Sequence, residues 1–193
     1  MESHLIYDCV ERLSEILRQD SRQAGAAHGL QPVQIEVLHY LSICNRYSDT
    51  PMAVTEYLGQ TKGTVSQTLK VLENKEFISK CVDKNDKRVN HLKVSAKGRR
   101  LLKQTIPTSM FSNACNALAD EKQSDIATSL QQLLGALVRA NKLKTFGVCS
   151  TCRFNQKIKG GAYFFCDFLQ ERLSKVEVQL ICKEHELSAT QAM

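Results

Sequence analysis

The chain has 193 residues, 42% of them hydrophobic and 24% charged, with a formal charge of +6. That suffices for one sizeable core and a small second module, in the composition range of ordinary globular proteins. No run of about 18 apolar residues suggests a membrane span. Met1-Glu2-Ser3-His4 lacks the basic-then-apolar layout of a signal peptide, so a cytoplasmic protein is expected.

Residues 2–20 carry Leu5, Ile6, Cys9, Val10, Leu13, Ile16 and Leu17 at helical spacing. Ser21 to Gly29 reads as a small-residue linker, with Gly25 and Gly29 loosening it. Pro32 opens a second helix, where its missing N–H is harmless. Val33, Ile35, Val37, Leu38, Leu41 and Cys44 give this helix a broad apolar face. Asn45 to Pro51 reads as a polar turn, and Met52 to Leu58 as a short helix ended by Gly59. Thr61 is a suitable N-cap for the next helix, whose Val65, Leu69 and Leu72 repeat at i, i+4, i+7. Lys62, Gly63, Thr64, Ser66, Gln67 and Lys70 fall on its other surface, short or cationic, as suits a helix laid in a DNA groove. Phe77-Ile78 and the alternating Val89–Val94 read as strands around a charged turn, Asp83 to Arg88.

Helix-turn-helix followed by a charged hairpin is the winged-helix arrangement. Between Thr61 and Lys103 there are 12 Lys+Arg and 4 Asp+Glu, a balance of +8 that leaves −2 for the rest of the chain. The positive charge is therefore local to the expected groove reader, as a phosphate-binding face requires.

Ser95 reads as the N-cap of a further helix carrying Leu101, Leu102 and Ile106, which Pro107 kinks or interrupts. Met110, Phe111, Ala114 and Leu118 continue the apolar pattern. Residues 120–141 form a last amphipathic helix with Ile126, Leu130, Leu133, Leu134, Leu137 and Val138 in line. The terminal helices carry more apolar surface than a small winged helix needs, which points to a homodimer interface. Paired recognition helices about 34 Å apart would read a palindrome in double-stranded DNA.

Leu58-Gly59 through Leu72, Asp83-x-x-Asp86-x-Arg88 and Leu92-x-Val94-Ser95-x-x-Gly98 resemble the MarR family of transcriptional regulators over roughly Leu5 to Asn141. The chain departs from the family pattern at Glu76, where a Gly usually ends the recognition helix, and at Gln67, where a basic residue is common. The resemblance implies a mainly α (α+β) winged-helix fold, a homodimer and a transcriptional regulator, of repressor type. It also implies a small-molecule effector between the dimer helices and the winged domain, which no residue here identifies. Thr61, Lys62, Gly63, Thr64, Ser66, Gln67 and Lys70 are the candidate DNA contacts of the helix. Lys84, Lys87 and Arg88 are those of the wing, with Asp86 orienting Arg88 or shaping the turn.

Eight cysteines fall into two groups. Cys9, Cys44, Cys81 and Cys115 lack ligand spacing and read as buried small hydrophobes. MarR relatives that sense organic hydroperoxides use a first-helix cysteine near tyrosines; Tyr7 is close to Cys9, but no flanking motif supports that role. Cys149, Cys152, Cys166, Cys182 and His185 are spaced C-x2-C-x13-C-x15-C-x2-H, which suits a metal. The expected domains are 1–145, winged helix and dimerisation, and 146–193, a Cys-rich metal-stapled tail. In that tail Gly160-Gly161 marks a hairpin, and Tyr163–Phe165 and Val176–Leu180 read as strands. A segment of about 45 residues buries little core alone, so a staple meets a physical need. Zinc on the four cysteines, with His185 behind them or replacing one, is the first expectation. An iron–sulfur cluster on the same thiolates is the rival, and four reduced, unliganded cysteines are the bland alternative, disulfides being disfavoured in that compartment.

An enzyme built on the tail would need an open metal position and a general base in a His-x-Glu motif, or a Cys-x-x-Cys in a βαβ context. Neither is present, nor is a Gly-rich phosphate loop or a Ser nucleophile elbow. No enzyme is expected. A tail that docks a partner protein is the third reading.

Overall fold

The computed structural model describes residues 2–158 and 163–187. Helix α1 spans Glu2–Ala26, α2 Pro32–Ile43, α3 Pro51–Leu58 and α4 Lys62–Asn74. Strands β1 (Ile78–Val82) and β2 (Asn90–Val94) form an antiparallel hairpin, and α5 (Ala96–Thr105), α6 (Ser109–Asn116) and α7 (Asp120–Ala140) follow. The fold is mainly helical with a winged helix-turn-helix at its centre, as expected. Among the described residues no helix is long and apolar enough to cross a membrane.

The core of this region is built from α2, α3, α4, the hairpin and α5. Val37, Leu38, Tyr40, Val54, Leu69, Leu72 and Leu92 are all essentially inaccessible. Truncating such a leucine to alanine typically costs 2–5 kcal/mol. Tyr40 and Tyr57 stack with ring centroids 4.4 Å apart, and Phe146 closes on both edge-on.

The expected linker at Ser21–Gly29 is a correction. Helix α1 runs on through Ala26, because Gly25 serves a close approach and does not loosen the chain. A Cβ at Gly25 would lie 2.6 Å from the Leu30 carbonyl oxygen and 2.8 Å from Ile35 Cδ1. Gly29 is a true turn residue at φ +61°. Gly98 likewise sits where a Cβ would lie 2.6 Å from the Phe77 carbonyl oxygen, so α5 packs directly on the strand entry. Pro107 interrupts the helix: α5 ends at Thr105, the Ile106–Pro107 peptide is cis, and Thr108 caps α6.

After α7 the tail makes two small sheets. One pairs β3 (Gly147–Val148) with β7 (Ile181–Cys182), and the other orders β4 (Asn155–Lys157), β5 (Phe164–Cys166) and β6 (Glu171–Leu173). The expected strand at Tyr163–Phe165 corresponds to β5, while the hairpin at Gly160-Gly161 lies outside the described residues. The strand expected at Val176–Leu180 is instead a 3-10 turn over Glu177–Gln179. Ser174 and Glu177 cap each other reciprocally, Ser174 N donating to Glu177 Oε2 and Glu177 N to Ser174 Oγ, and this local satisfaction outweighs β propensity. The tail has its own small core of Cys149, Cys166, Leu173, Val178 and Cys182.

Helix α4 ends abruptly although Glu76 stands where a Gly is usual. Glu76 takes φ +62°, and its carbonyl accepts the Ser95 hydroxyl at 2.7 Å. The left-handed conformation costs a side-chain-bearing residue roughly 1–2 kcal/mol, partly offset by the greater chain entropy a Gly would lose. Glu76→Gly should therefore stabilise the protein by about 0.5–1 kcal/mol, visible as a higher urea midpoint at unchanged slope.

Candidate nucleic-acid interface

Helix α4 is capped as its sequence requires, Thr64 N donating to Thr61 Oγ1 at 3.2 Å. Val65, Thr68, Leu69 and Leu72 face the core. That leaves Thr61, Lys62, Gly63, Thr64, Ser66, Gln67 and Lys70 exposed along the opposite side. Gly63 has no internal reason to be glycine, since the nearest atom to an added Cβ is Thr61 Oγ1 at 3.9 Å. Its effect is to keep the outer helix surface low where a groove wall would approach. Beside α4, a concavity of about 340 Å3 is shared with α3 and the hairpin, and it brings Lys62, Ser66, Lys80 and Asn90 together. Lys80 and Asn90 escaped sequence reasoning, because only the antiparallel register of β1 and β2 turns them toward α4.

The hairpin tip is organised by two carboxylates. Asp83 Oδ1 accepts the backbone N–H of Asn85 at 2.7 Å and of Asp86 at 2.8 Å. These bonds, with His91, lower the Asp83 carboxyl to about 2. Asp86 accepts Arg88 Nε and Nη2, each at 2.9 Å, together with the Arg88 backbone N–H at 3.0 Å. It thus both shapes the turn and aims the guanidinium. Arg88 is 90% exposed, flanked by exposed Lys84 and Lys87.

Residues 28–89 match the MarR family model. The match covers the helix-turn-helix and the first strand of the hairpin. Solved structures agree at the level of fold. A MarR transcriptional regulator from Methanosarcina mazei Go1 aligns with a TM-score of 0.62 at 16% identity, over 71% of this chain and 99% of that one. MepR of Staphylococcus aureus in its DNA-binding conformation aligns at 0.58 and 24% identity, over 71% and 98%. The MepR–DNA complex aligns at 0.56 and 23%, over 70% and 98%. No curated protein sequence matches the chain.

The winged helix is underpinned by a loop that the sequence disguised. Asn45 to Pro51 reads as an exposed polar turn, yet Asn45, Ser48 and Asp49 are 1%, 0% and 4% exposed. Asn45 Oδ1 accepts Ser48 Oγ at 2.8 Å and Tyr47 N at 3.1 Å, and Tyr40 Oη donates to the Ser48 carbonyl at 2.8 Å. Asp49 binds β2 of the wing three times: to His91 Nδ1, to Lys93 Nζ, and by its carbonyl to Leu92 N at 2.7 Å. His91 Nε2 meets Asp83 at 3.0 Å. Both ring nitrogens face carboxylates, so only the doubly protonated ring satisfies both. The bond to Asp49, then that to Asp83, raises the His91 pKa against the opposing effect of burial.

The tail docks on the other side of the same loop. Asn45 N donates to the Ile181 carbonyl at 2.9 Å, and Lys183 N to Ser48 Oγ at 2.9 Å. Arg46 pairs with Glu177 at 2.8 Å. Cys149, Cys152, Cys166 and Cys182 line one pocket of about 10 Å3, walled by Leu169 and Leu173 and reached by Asn45. Burial pushes the Cys166 thiol up, against the lowering effect of the Leu169 and Phe168 N–H groups. The neighbouring Cys149 thiol lowers Cys182, against burial, while the Cys149 thiol is pushed up by the same neighbour. Asn155 Oδ1, also at this pocket, is buried without a partner.

The sulfurs share a pocket, but among the described residues no three His, Cys, Asp or Glu groups are gathered as a metal would hold them. The donor chemistry nevertheless fits a thiophilic ion. Four cysteines, the soft donors such an ion takes, line one enclosed pocket, and one of them, Cys182, is held toward the thiolate. His185 stands apart from the four, with Nδ1 2.9 Å from Thr145 Oγ1 and Nε2 3.0 Å from Thr151 Oγ1. It braces the Cys149–Cys152 turn from behind, packed so tightly on Gly147 that a Cβ there would lie 2.5 Å from its ring.

The scattered cysteines divide. Cys44 is buried as expected, but Cys9 and Cys81 are exposed and Cys115 half-buried. Cys9 lies on the outer part of α1, and Cys81 on a strand whose residues after Ile78 all face outward. An apolar cleft of about 650 Å3 separates α1 and α7 from the winged helix, lined by Leu13, Leu17, His39, Ile106, Phe111 and Leu130.

A raised His91 pKa means stabilisation that is complete below the unfolded value of about 6.5 and lost as pH rises through the folded value. The melting-temperature gap between wild type and His91→Gln should thus be larger at pH 6 than at pH 9. Equal gaps at both would refute the linkage.

Proposed function

We propose that this chain is a homodimeric, sequence-specific DNA-binding transcriptional regulator, of repressor type, that reads a palindromic operator. The observation that carries the reading is the shared face of α4 and the wing. A capped helix with seven exposed short or cationic residues lies beside an arginine-tipped hairpin, in the one segment of the chain with strong positive charge. In this reading Lys62, Thr64, Ser66, Gln67 and Lys70 divide between phosphates and base edges, with Thr61 and Gly63 at the helix start. Lys84, Lys87 and Arg88 follow the adjacent minor groove or backbone. That the similar MepR was solved as a DNA complex supports this use of the fold.

Dimerisation is supported by apolar surface that the single chain does not cover. Helix α7 is 21 residues long and buries none of them, and α1 buries only Gly25. Leu5, Tyr7, Leu13, Leu130, Leu134 and Leu137 are 46–66% exposed. Such a surface marks an interface, and a second copy of the same helices supplies the matching stripe about a two-fold axis. The 650 Å3 cleft beneath these helices is the place for a small-molecule effector.

The tail is read as a zinc module held by Cys149, Cys152, Cys166 and Cys182, with His185 positioning the first pair. Four lining cysteines match the four-coordinate shell of a structural zinc. Zinc would supply a tetrahedral staple for a segment too short to hold itself.

Arg88→Ala should weaken binding to a duplex from upstream of the protein's own gene and lower the salt slope by about one. Unchanged affinity and slope would remove the wing from the interface. Leu130→Glu with Leu134→Glu should turn a species of twice the chain mass in light scattering into a monomer; a monomeric wild type would remove the dimer.

A further inference from the structure

The cysteine pocket and the wing share one buried loop. At the tail end, Asn45 Nδ2 lies 3.4 Å from Cys149 Sγ, and Ser48 Oγ receives Lys183 N at 2.9 Å, one residue after Cys182. Within the loop, Ser48 Oγ donates to Asn45 Oδ1, so a movement of either tail contact is felt by both side chains. At the wing end, the next residue, Asp49, holds Leu92 N, His91 and Lys93 on β2. His91 in turn holds Asp83, whose carboxylate caps the turn that carries Asp86 and Arg88. The chain of contacts from sulfur to wing tip is continuous, buried at Asn45 and Ser48 and part-buried from Asp49 to Asp83. Its members have few other partners, and a buried polar group that loses one costs about 1–3 kcal/mol.

The tail also faces the wing across a cleft. The turn after Cys166 places Phe168 and Leu169 opposite Val89–His91 and Arg88 across a cleft of about 610 Å3. A change in how the four sulfurs are gathered therefore displaces groups on both flanks of the wing base.

We propose that the cysteine pocket is a zinc-responsive site whose occupancy is transmitted through Asn45, Ser48 and Asp49 to the wing, so that the zinc-loaded protein binds DNA more tightly than the metal-free one. The inference rests on the DNA-binding and zinc readings above. Gathering Cys149 and Cys182 on an ion fixes Asn45 and Ser48, which fixes Asp49 and with it the wing strand that aims Arg88. The free energy zinc spends ordering the wing appears as DNA affinity, and DNA must tighten zinc by the same factor.

The test uses the full chain, reduced and metal-free, with Co2+ as a spectroscopic probe and Zn2+ as the working ion. Thiolate–cobalt bands saturating at one ion per chain are expected. Anisotropy with a labelled duplex from upstream of the protein's own gene should show at least a tenfold gain in affinity on zinc loading. Asp49→Asn and His91→Gln, cutting the path at the wing end, should still bind one zinc but show less than a threefold gain. If both variants keep the full gain, zinc acts only as a staple and the path is overturned. A loaded wild type that binds DNA no more tightly overturns the coupling and leaves the metal site standing. Cobalt bands that never form, with DNA binding intact, overturn the metal site. DNA binding in neither state overturns the regulator reading itself.

Discussion

A buried polar loop holds this molecule together. Asn45, Ser48 and Asp49 lie between α2 and α3, with almost no access to water. Burying such groups is unfavourable unless every one is satisfied, and here each is satisfied by a different part of the fold. Asn45 faces the tail, Ser48 faces both the tail and Tyr40, and Asp49 faces the wing. The loop is thus a junction: the relative placement of tail, helix-turn-helix and hairpin is set by hydrogen-bond geometry, which tolerates far less displacement than apolar contact does.

The recognition surface follows from that junction. Helix α4 needs only its own cap and stripe to form, but what lies beside it depends on the hairpin, and the hairpin is anchored at its base by Asp49. The wing tip is built from short-range carboxylate bonds at Asp83 and Asp86, which hold Arg88 extended and 90% exposed. Local turn chemistry makes the tip, and the buried loop orients it. Glu76 shows the other side of the same economy. The chain accepts a left-handed glutamate to end α4 on time, because Phe77 and Ile78 must enter the core directly after it.

The terminal helices and the tail are incomplete in different ways. Helices α1 and α7 leave long apolar stripes exposed, whereas the tail packs a core of only a few residues around four sulfurs. Each deficit is matched by chemistry the chain itself carries, a repeated leucine stripe in one case and four convergent thiols in the other.

The sequence by itself determined the order and type of elements through the winged helix. Thr61, the stripe of Val65, Leu69 and Leu72, the Asp83–Arg88 turn and the Ser95 cap are local rules, and each holds in the structure because its partners lie within a few residues. It also determined where positive charge concentrates and which four cysteines line one pocket, their spacing surviving whatever path the chain takes between them. Only the tertiary structure decided the rest. Gly25 resembled a flexible linker residue but is a point of close packing; Val176–Leu180 resembled a strand but is a capped turn; His185, expected behind the four cysteines or in place of one, has both nitrogens turned to threonines. The largest gap was Asn45–Asp49, where short polar residues signal an exposed turn. Their burial is created by residues far away in the chain, at positions 91–93 and 181–183, and no local pattern encodes a partner at that distance.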